Sequence, residues 1–113
     1  IDEGFGRTYL HMRQSAGGRR AINVGTAILG TDGISVRGGA TTHDEIEART
    51  NHAMVAHAER VIVVADGSKV GRVTLARMAD LSEVDVLVTD SSADPTALEA
   101  IRAAGVEVHV VEA

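Results

Sequence analysis

The stretch Val61-Ile62-Val63-Val64-Ala65-Asp66-Gly67-Ser68-Lys69-Val70-Gly71-Arg72 decides the fold class of this chain. Its four β-branched residues, Val61 to Val64, predict a short strand buried on both faces, as in parallel sheets. Asp66 to Lys69 then predict a polar loop. Ligands of open α/β sheets bind at the carboxyl ends of the strands, so this loop is a candidate site. Lys69 is also the only lysine of the chain.

The composition limits the classes of function that fit the chain. Its 113 residues suit one domain with a core. Phe5 and Tyr9 are the only aromatic residues, which nearly excludes stacking on bases, and a net charge of −5 argues against a nucleic-acid-binding surface. The absence of cysteine excludes disulfides and thiol catalysis. Without a membrane-length apolar run or a signal peptide, we expect a cytoplasmic protein that does not enter membranes.

Apolar runs and turn signals predict the order of the elements. Strands are predicted at residues 26–30, 61–64, 86–89 and 106–111. Helices are predicted at residues 43–59 and 94–104, with one helical turn at 81–84. This alternation predicts an α/β fold with a Rossmann-like parallel sheet and flanking helices. Residues 35–40 are expected to form a loop, and residues 71–79 have no clear assignment beyond buried Val73, Leu75 and Met78.

The two predicted helices begin at recognisable capping sequences. Thr42 and Glu45 form a capping box for the first helix. For the second helix, the N-cap is Asp94, the first helical residue is Pro95, and the residue that ends the helix is Gly105. Spacings of three and four predict that one face of the first helix is buried. The residues on that face are Ile46, Thr50, Ala53, Met54, His57 and Ala58.

Residues 1–20 lack a regular apolar pattern and combine four glycines with four arginines. Residues 8–14 are long enough for two helical turns but carry no useful apolar stripe. We therefore expect a poorly structured segment at residues 1–20, followed by a single domain at residues 21–113.

Three polar loops follow predicted strands, and they carry Asp32, the Asp66–Lys69 segment and Asp90. Lys69 beside backbone N–H groups suits a phosphate, whereas Asp90 is expected only to form its turn. Asp32 and Glu47 are candidates for a carboxylate pair that handles protons on a sugar. Glu47 has an equally sufficient role near the positive end of a helix, so the two interpretations stay open.

The histidines His43, His52 and His57 match no metal-binding spacing. Each is expected to be a surface or half-buried residue, and no metal or cofactor is predicted.

Several motifs together, in order and spacing, resemble the C-terminal effector domain of DeoR-type bacterial transcriptional regulators over about residues 26–111. The motifs are Thr31-Asp32-Gly33-Ile34, Gly38-Gly39-Ala40-Thr41-Thr42, Glu47-Ala48, Met54, Ala65-Asp66-Gly67-Ser68-Lys69-Val70-Gly71-Arg72, Leu81-Ser82-Glu83-Val84-Asp85 and Val88-Thr89-Asp90. The resemblance implies a sugar-phosphate sensor, not an enzyme, with a fold similar to ribose-5-phosphate isomerase, glucosamine-6-phosphate deaminase and the CoA-transferases.

The resemblance also implies roles for individual residues. Asp32 and Gly33 correspond to an acidic loop that faces sugar hydroxyls, and Glu47 to a glutamate on the helix that flanks the site. Ser68 and Lys69, in the loop that begins at Asp66, correspond to a lysine loop that faces the ligand. Binding of a phosphorylated sugar then shifts the regulator between two states that differ in affinity for DNA.

The chain also departs from the family pattern. Nothing resembles the helix-turn-helix domain through which such regulators bind DNA, nor their early Asp-Gly-Gly-Thr-Thr loop. Asn51 stands where many members have lysine, and Gly67 replaces a common serine. We therefore expect an effector domain truncated at its N-terminus, which binds the sugar phosphate weakly or not at all. Two alternatives are an isomerase-like enzyme that uses Glu47 as base, and a dimerisation fragment whose open sheet edge and apolar face are covered by a second copy.

Overall fold

The computed structural model describes the backbone of residues 8–14 and 22–112, and the side chains of residues 25–112. This part of the chain contains eight strands and two α-helices, with short 3₁₀ turns at Gly67–Lys69 and Leu81–Glu83. In chain order the elements are β1 (Thr8–Gln14), β2 (Ile22–Gly30), β3 (Gly33–Ser35), β4 (Gly39–Thr42), α1 (Glu45–Ala56), β5 (Ala58–Val64), β6 (Ala76–Ala79), β7 (Val86–Asp90), α2 (Pro95–Ala103) and β8 (Glu107–Val111).

The main sheet has the strand order β1-β2-β5-β7-β8. Strands β2, β5, β7 and β8 run parallel, which confirms the α/β fold predicted from the alternation of strands and helices. Strand β1 pairs antiparallel with β2, so the helical turns considered for residues 8–14 are wrong and the outer edge of β2 is not open. The division of the chain at residue 20 stays a prediction.

One face of the main sheet is buried more deeply than the other. On β5, Val61 and Val63 are buried whereas Ile62 and Val64 are half-buried, so the expectation of two buried faces is wrong. Successive parallel strands add in one direction, and right-handed crossovers then place every connection on the same side of the sheet. Both helices and the smaller sheet consequently cover the face that carries Val63.

A three-stranded antiparallel sheet, ordered β3-β4-β6, occupies residues predicted as loop or left unassigned. The tight β3–β4 hairpin depends on Gly39, whose φ is +69° and whose added Cβ would lie 2.1 Å from the Ala79 carbonyl oxygen. Met78 on β6 is fully buried, as predicted. Val73 and Leu75 are 58% and 69% exposed, contrary to prediction, because they lie in the surface segment before β6.

Helix α1 is capped by Asp44 rather than Thr42. The Asp44 carboxylate accepts hydrogen bonds from the Ile46 and Glu47 N–H groups at 2.8 and 3.2 Å, so the predicted capping box is wrong. The predicted buried face is also wrong, because Ile46 is 76% exposed. The buried residues are Ala48, Asn51 and Val55. The helix is rich in small and polar residues, and its packing against β6 decides which side is buried.

Helix α2 and its flanks agree with the prediction. Asp94 caps the helix by accepting from the Ala97 N–H at 3.1 Å, and Pro95 is the first helical residue. Gly105 follows the helix with a φ of +106°, a conformation that glycine adopts without strain. The predicted helical turn at residues 81–84 is the 3₁₀ turn Leu81–Glu83.

Candidate functional site

The loops after β2, β5 and β7 lie side by side, because these strands are adjacent and parallel. Five of the six predicted site residues lie in two groups, each held together by hydrogen bonds, and the first group also contains Thr42. The first, called the acidic cluster below, consists of Asp32, Thr42 and Glu47. The second, called the lysine loop, is the segment from Asp66 to Lys69.

The acidic cluster is organised around one threonine hydroxyl. Thr42 Oγ1 lies 2.9 Å from Asp32 Oδ2 and 2.8 Å from Glu47 Oε1. The His43 N–H also donates to Asp32 Oδ2, at 3.0 Å. Thr42 is fully buried, whereas both carboxylates are half-buried. Carboxylate oxygens accept several hydrogen bonds each, so this pair can receive ligand hydroxyl groups.

The structure gives Gly33 a packing role. A Cβ at this position would lie 2.4 Å from the Arg72 carbonyl oxygen and 2.8 Å from Thr41 Oγ1. Thr31 strengthens the same region, because its hydroxyl lies 2.8 Å from the Gly33 carbonyl oxygen and 2.7 Å from that of Thr41. Only glycine allows these backbones to approach so closely, and this approach fixes the backbone next to Asp32.

The acidic cluster and the lysine loop are joined through β3. The Gly71 N–H donates to the Ile34 carbonyl oxygen at 2.7 Å, and Ile34 forms an isolated parallel bridge with Val70. The chain that leaves the lysine loop is therefore fixed to the strand that follows Asp32.

Within the lysine loop, Asp66 holds the turn and faces the cation. Its carboxylate accepts from the Ser68 N–H at 2.9 Å and from the Ser68 hydroxyl. Lys69 Nζ lies 3.6 Å from Asp66 Oδ2, and the lysine side chain is 27% exposed. The Ser68 hydrogen bonds, with a smaller contribution from Lys69, lower the pKa of Asp66. Asp66 is thus ionised at neutral pH and orients a cation that still reaches solvent.

Asp90 stabilises loops, as predicted. It accepts from the Ser92 hydroxyl and N–H, and from the Gly67 N–H at 3.2 Å; these hydrogen bonds lower its pKa. Gly67 fits tightly here, because an added Cβ would lie 2.3 Å from the Ala93 nitrogen. This contact accounts for glycine at position 67. Asp90 therefore ties the lysine loop to the loop after β7.

Two residues next to the site were not predicted as part of it. Thr42 was assigned to helix capping, although its place in the Gly-Gly-Ala-Thr-Thr motif was a usable signal. Asn51 is buried on α1, and its amide nitrogen lies 3.3 Å from Met78 Sδ. His43, His52 and His57 are exposed, as predicted. Among the side chains of residues 25–112, no group of three or more acidic or histidine residues is arranged to hold a metal ion.

A comparison with protein families matches residues 12–91 to the DeoR C-terminal sensor domain. The match spans most of the chain and includes both the acidic cluster and the lysine loop. The chain belongs to the DeoR C-terminal sensor domain family. The resemblance carried by the ordered motifs is therefore confirmed.

Curated relatives of this DeoR-type domain are transcriptional regulators. A putative aga operon transcriptional repressor of Escherichia coli O157:H7 is 43% identical over 83 residues, which are 74% of this chain and 31% of the repressor. The HTH-type transcriptional regulator GlpR of Haloferax volcanii is 42% identical over 86 residues, 76% of this chain and 34% of the regulator. The glycerol-3-phosphate regulon repressor of Escherichia coli K12 is 38% identical over 64 residues, which are 57% of this chain and 25% of the repressor.

The DeoR-type chain spans about a third of the length of the first two of these relatives.

In the part of the chain that the structure describes, no helix is both long and apolar enough to cross a membrane.

Proposed function

We propose that this chain is the effector-sensing part of a DeoR-type regulator and binds a phosphorylated sugar or polyol between the acidic cluster and the lysine loop. The observation that carries the proposal is the placement of an oriented, partly exposed ammonium group after β5 and of Asp32 after the adjacent parallel strand β2, with Glu47 of α1 linked to Asp32 through Thr42. One relative is named for the glycerol 3-phosphate regulon, which fits a ligand of this chemistry.

The two halves of the proposed site recognise different parts of the ligand. Lys69 binds the phosphate, because its partly exposed ammonium group attracts a multiply charged anion and donates charge-assisted hydrogen bonds to it. Asp32 and Glu47 accept hydrogen bonds from sugar hydroxyls, and Gly33 holds the backbone beside them. Asp66 and Ser68 keep the lysine loop in its turn, so that Lys69 needs little reordering on binding.

The remaining parts of the proposal concern the whole protein. The chain acts in the cytoplasm, without a catalytic role and without a cofactor. It reaches DNA through a separate helix-turn-helix domain, and the regulator is a homo-oligomer. The length of the relatives supports a further domain, since a ligand signal needs a second, DNA-binding site to act on.

The proposal is tested by titrating the ¹⁵N-labelled chain with glycerol 3-phosphate, glucosamine 6-phosphate and ribose 5-phosphate, and with glycerol, glucosamine and ribose as unphosphorylated matches. We expect saturable shifts of backbone signals at residues 32–33 and 66–69 with at least one phosphorylated compound. Lys69→Gln should weaken that binding at least tenfold, and the remote Arg102→Gln should leave it unchanged. Equal binding of Lys69→Gln and the unchanged chain would contradict the role of Lys69.

A second candidate, isomerase-like catalysis, is favoured by one observation, the hydroxyl that links Asp32 to Glu47. A carboxylate held in this way has the chemistry of a general base. The discriminating measurement is turnover of ribose 5-phosphate by the unchanged chain and by Glu47→Gln. We expect no turnover from either, and turnover that Glu47→Gln abolishes would favour the enzyme.

A further inference from the structure

In the part of the chain that the structure describes, strand β8 forms one edge of the main sheet and presents backbone groups outward. The Glu107 N–H donates to the Asp85 carbonyl oxygen at 3.0 Å, so the backbone of Glu107 faces the β7 side. Because this direction alternates along a strand, the N–H and C=O groups of Val108 and Val110 face away from the sheet. Within the described residues, no strand pairs with this outer edge.

The side chains of β8 do not protect this edge. Val110 and Val111 are 42% and 54% exposed, and the strand lacks lysine and proline, the residues that commonly block edge pairing. Glu107 and His109 lie on the same face of the strand, where the histidine Nε2 contacts the Glu107 carboxylate. The edge therefore combines outward-facing hydrogen-bonding groups, exposed valines and two polar side chains that contact each other.

We propose that β8 pairs antiparallel with β8 of a second copy of this chain, around a two-fold axis at Val108. The backbone groups of Val108 in the two copies then exchange hydrogen bonds. Each Glu107 lies directly opposite His109 of the other copy, in a closely spaced non-hydrogen-bonded pair. The two main sheets become one continuous sheet across the axis.

Hydrogen bonding between Glu107 and His109 selects this register over its neighbour. Antiparallel pairing centred on His109 would also use outward-facing groups, but it would place the two His109 rings opposite each other. Centring on Val108 instead surrounds each Glu107 with two imidazoles, one from its own strand and one from the second copy.

The β8 edge is the surface through which the homo-oligomer of the proposed function assembles. It includes neither the acidic cluster nor the lysine loop. Its test needs no ligand, so it can fail or succeed independently of sugar-phosphate binding.

Sedimentation equilibrium of the 113-residue chain and of charge variants tests the proposed pairing. We expect a concentration-dependent dimer. His109→Glu puts carboxylates opposite each other in two symmetric pairs, and like charges in cross-strand pairs are destabilising; it should weaken dimerisation about tenfold. Combining it with Glu107→Lys restores opposite charges and should return the dissociation constant to the original value or below.

Both positions are exposed, so the variants should keep the far-UV circular dichroism of the parent chain. A monomer at every concentration, or a dimer that none of these variants alters, would overturn the proposal.

The register is tested separately by cross-linking, since the chain has no cysteine of its own. Val108→Cys places two thiols across the two-fold axis at a spacing compatible with a disulfide, and mild oxidation should link it into dimers. His109→Cys places its thiols in different pairs and should cross-link at least tenfold more slowly. Faster cross-linking of His109→Cys would contradict the Val108-centred register.

Discussion

At the scale of single residues, Thr42 connects the fold to the candidate site. Its buried hydroxyl lies within hydrogen-bonding distance of Asp32 and Glu47, and it also receives a long hydrogen bond from the Asp44 N–H at 3.4 Å. The same side chain therefore fixes the end of β2 relative to the start of α1. Loss of this hydroxyl should lower the stability of the fold and change the position of the two carboxylates.

We expect Thr42→Val to lower the free energy of unfolding by about 2 kcal/mol, because a methyl group replaces a hydroxyl that serves charged acceptors. The measurement is urea denaturation at neutral pH. Thr89→Val is the matched control, since Thr89 is equally buried but its hydroxyl has no hydrogen-bond partner in the described part of the chain. That control should not destabilise the protein. Equal losses in the two variants would show that the hydroxyl contacts of Thr42 contribute nothing specific.

At the scale of elements, two ionised carboxylates stabilise the loops after β5 and β7: Asp66 holds its own turn, and Asp90 joins the two loops by accepting from the Gly67 N–H. Asp66 and Asp90 both have a pKa below the ordinary value of 3.8, chiefly because neighbouring serines donate hydrogen bonds to them. A group with a lowered pKa in the folded state adds stability above its unfolded pKa. This contribution is lost as the pH falls through the folded pKa.

The free energy of unfolding should consequently fall as the pH drops below about 4, where the two carboxylates take up protons more readily in the unfolded chain than in the folded one. The combined Asp66→Asn and Asp90→Asn variant should lose less stability over that interval than the unchanged chain, measured by urea titration at each pH. The exposed Glu99→Gln variant serves as the control and should follow the unchanged chain. An identical pH slope in the double variant would mean that these hydrogen bonds do not carry the dependence.

The elements themselves were predictable to different degrees. Strand β5 and helix α2 were predicted because local signals sufficed: a β-branched run in one, and Asp94, Pro95 and Gly105 in the other. Helix α1 was predicted with the wrong cap and the wrong buried face. Either Thr42 or Asp44 is a good capping residue, and only the contact of Thr42 with Asp32 leaves the cap to Asp44.

At the scale of the whole molecule, the main sheet carries its helices and the smaller sheet on one side. Neighbouring residues of β2 report this asymmetry, because Leu29 is fully buried and Ile28 is half-buried. On the neighbouring strand β5, Leu29 pairs with the buried Val63 and Ile28 pairs with the half-buried Ile62, so the same difference in burial holds there.

We therefore expect Leu29→Ala to cost about 3 kcal/mol, within the range for fully buried aliphatic side chains. Ile28→Ala, the matched change on the other face, should cost clearly less. Chemical denaturation of both variants measures the difference. A loss from Ile28→Ala as large as that from Leu29→Ala would mean that both faces are equally well packed.

The sequence by itself determined the α/β class, the parallel strands and the family, because periodicity, turn residues and ordered motifs are local properties of the chain. It also located the polar loops that follow β2, β5 and β7, including Lys69 and the Asp66–Ser68 turn. Only the tertiary structure decided that Thr42 links Asp32 to Glu47, that β3, β4 and β6 form a second sheet, and that Asn51 rather than Ile46 is buried. These features depend on contacts between segments that are distant in the chain, such as the pairing of Ala40 on β4 with Ala79 on β6. No local pattern encodes which segments will meet.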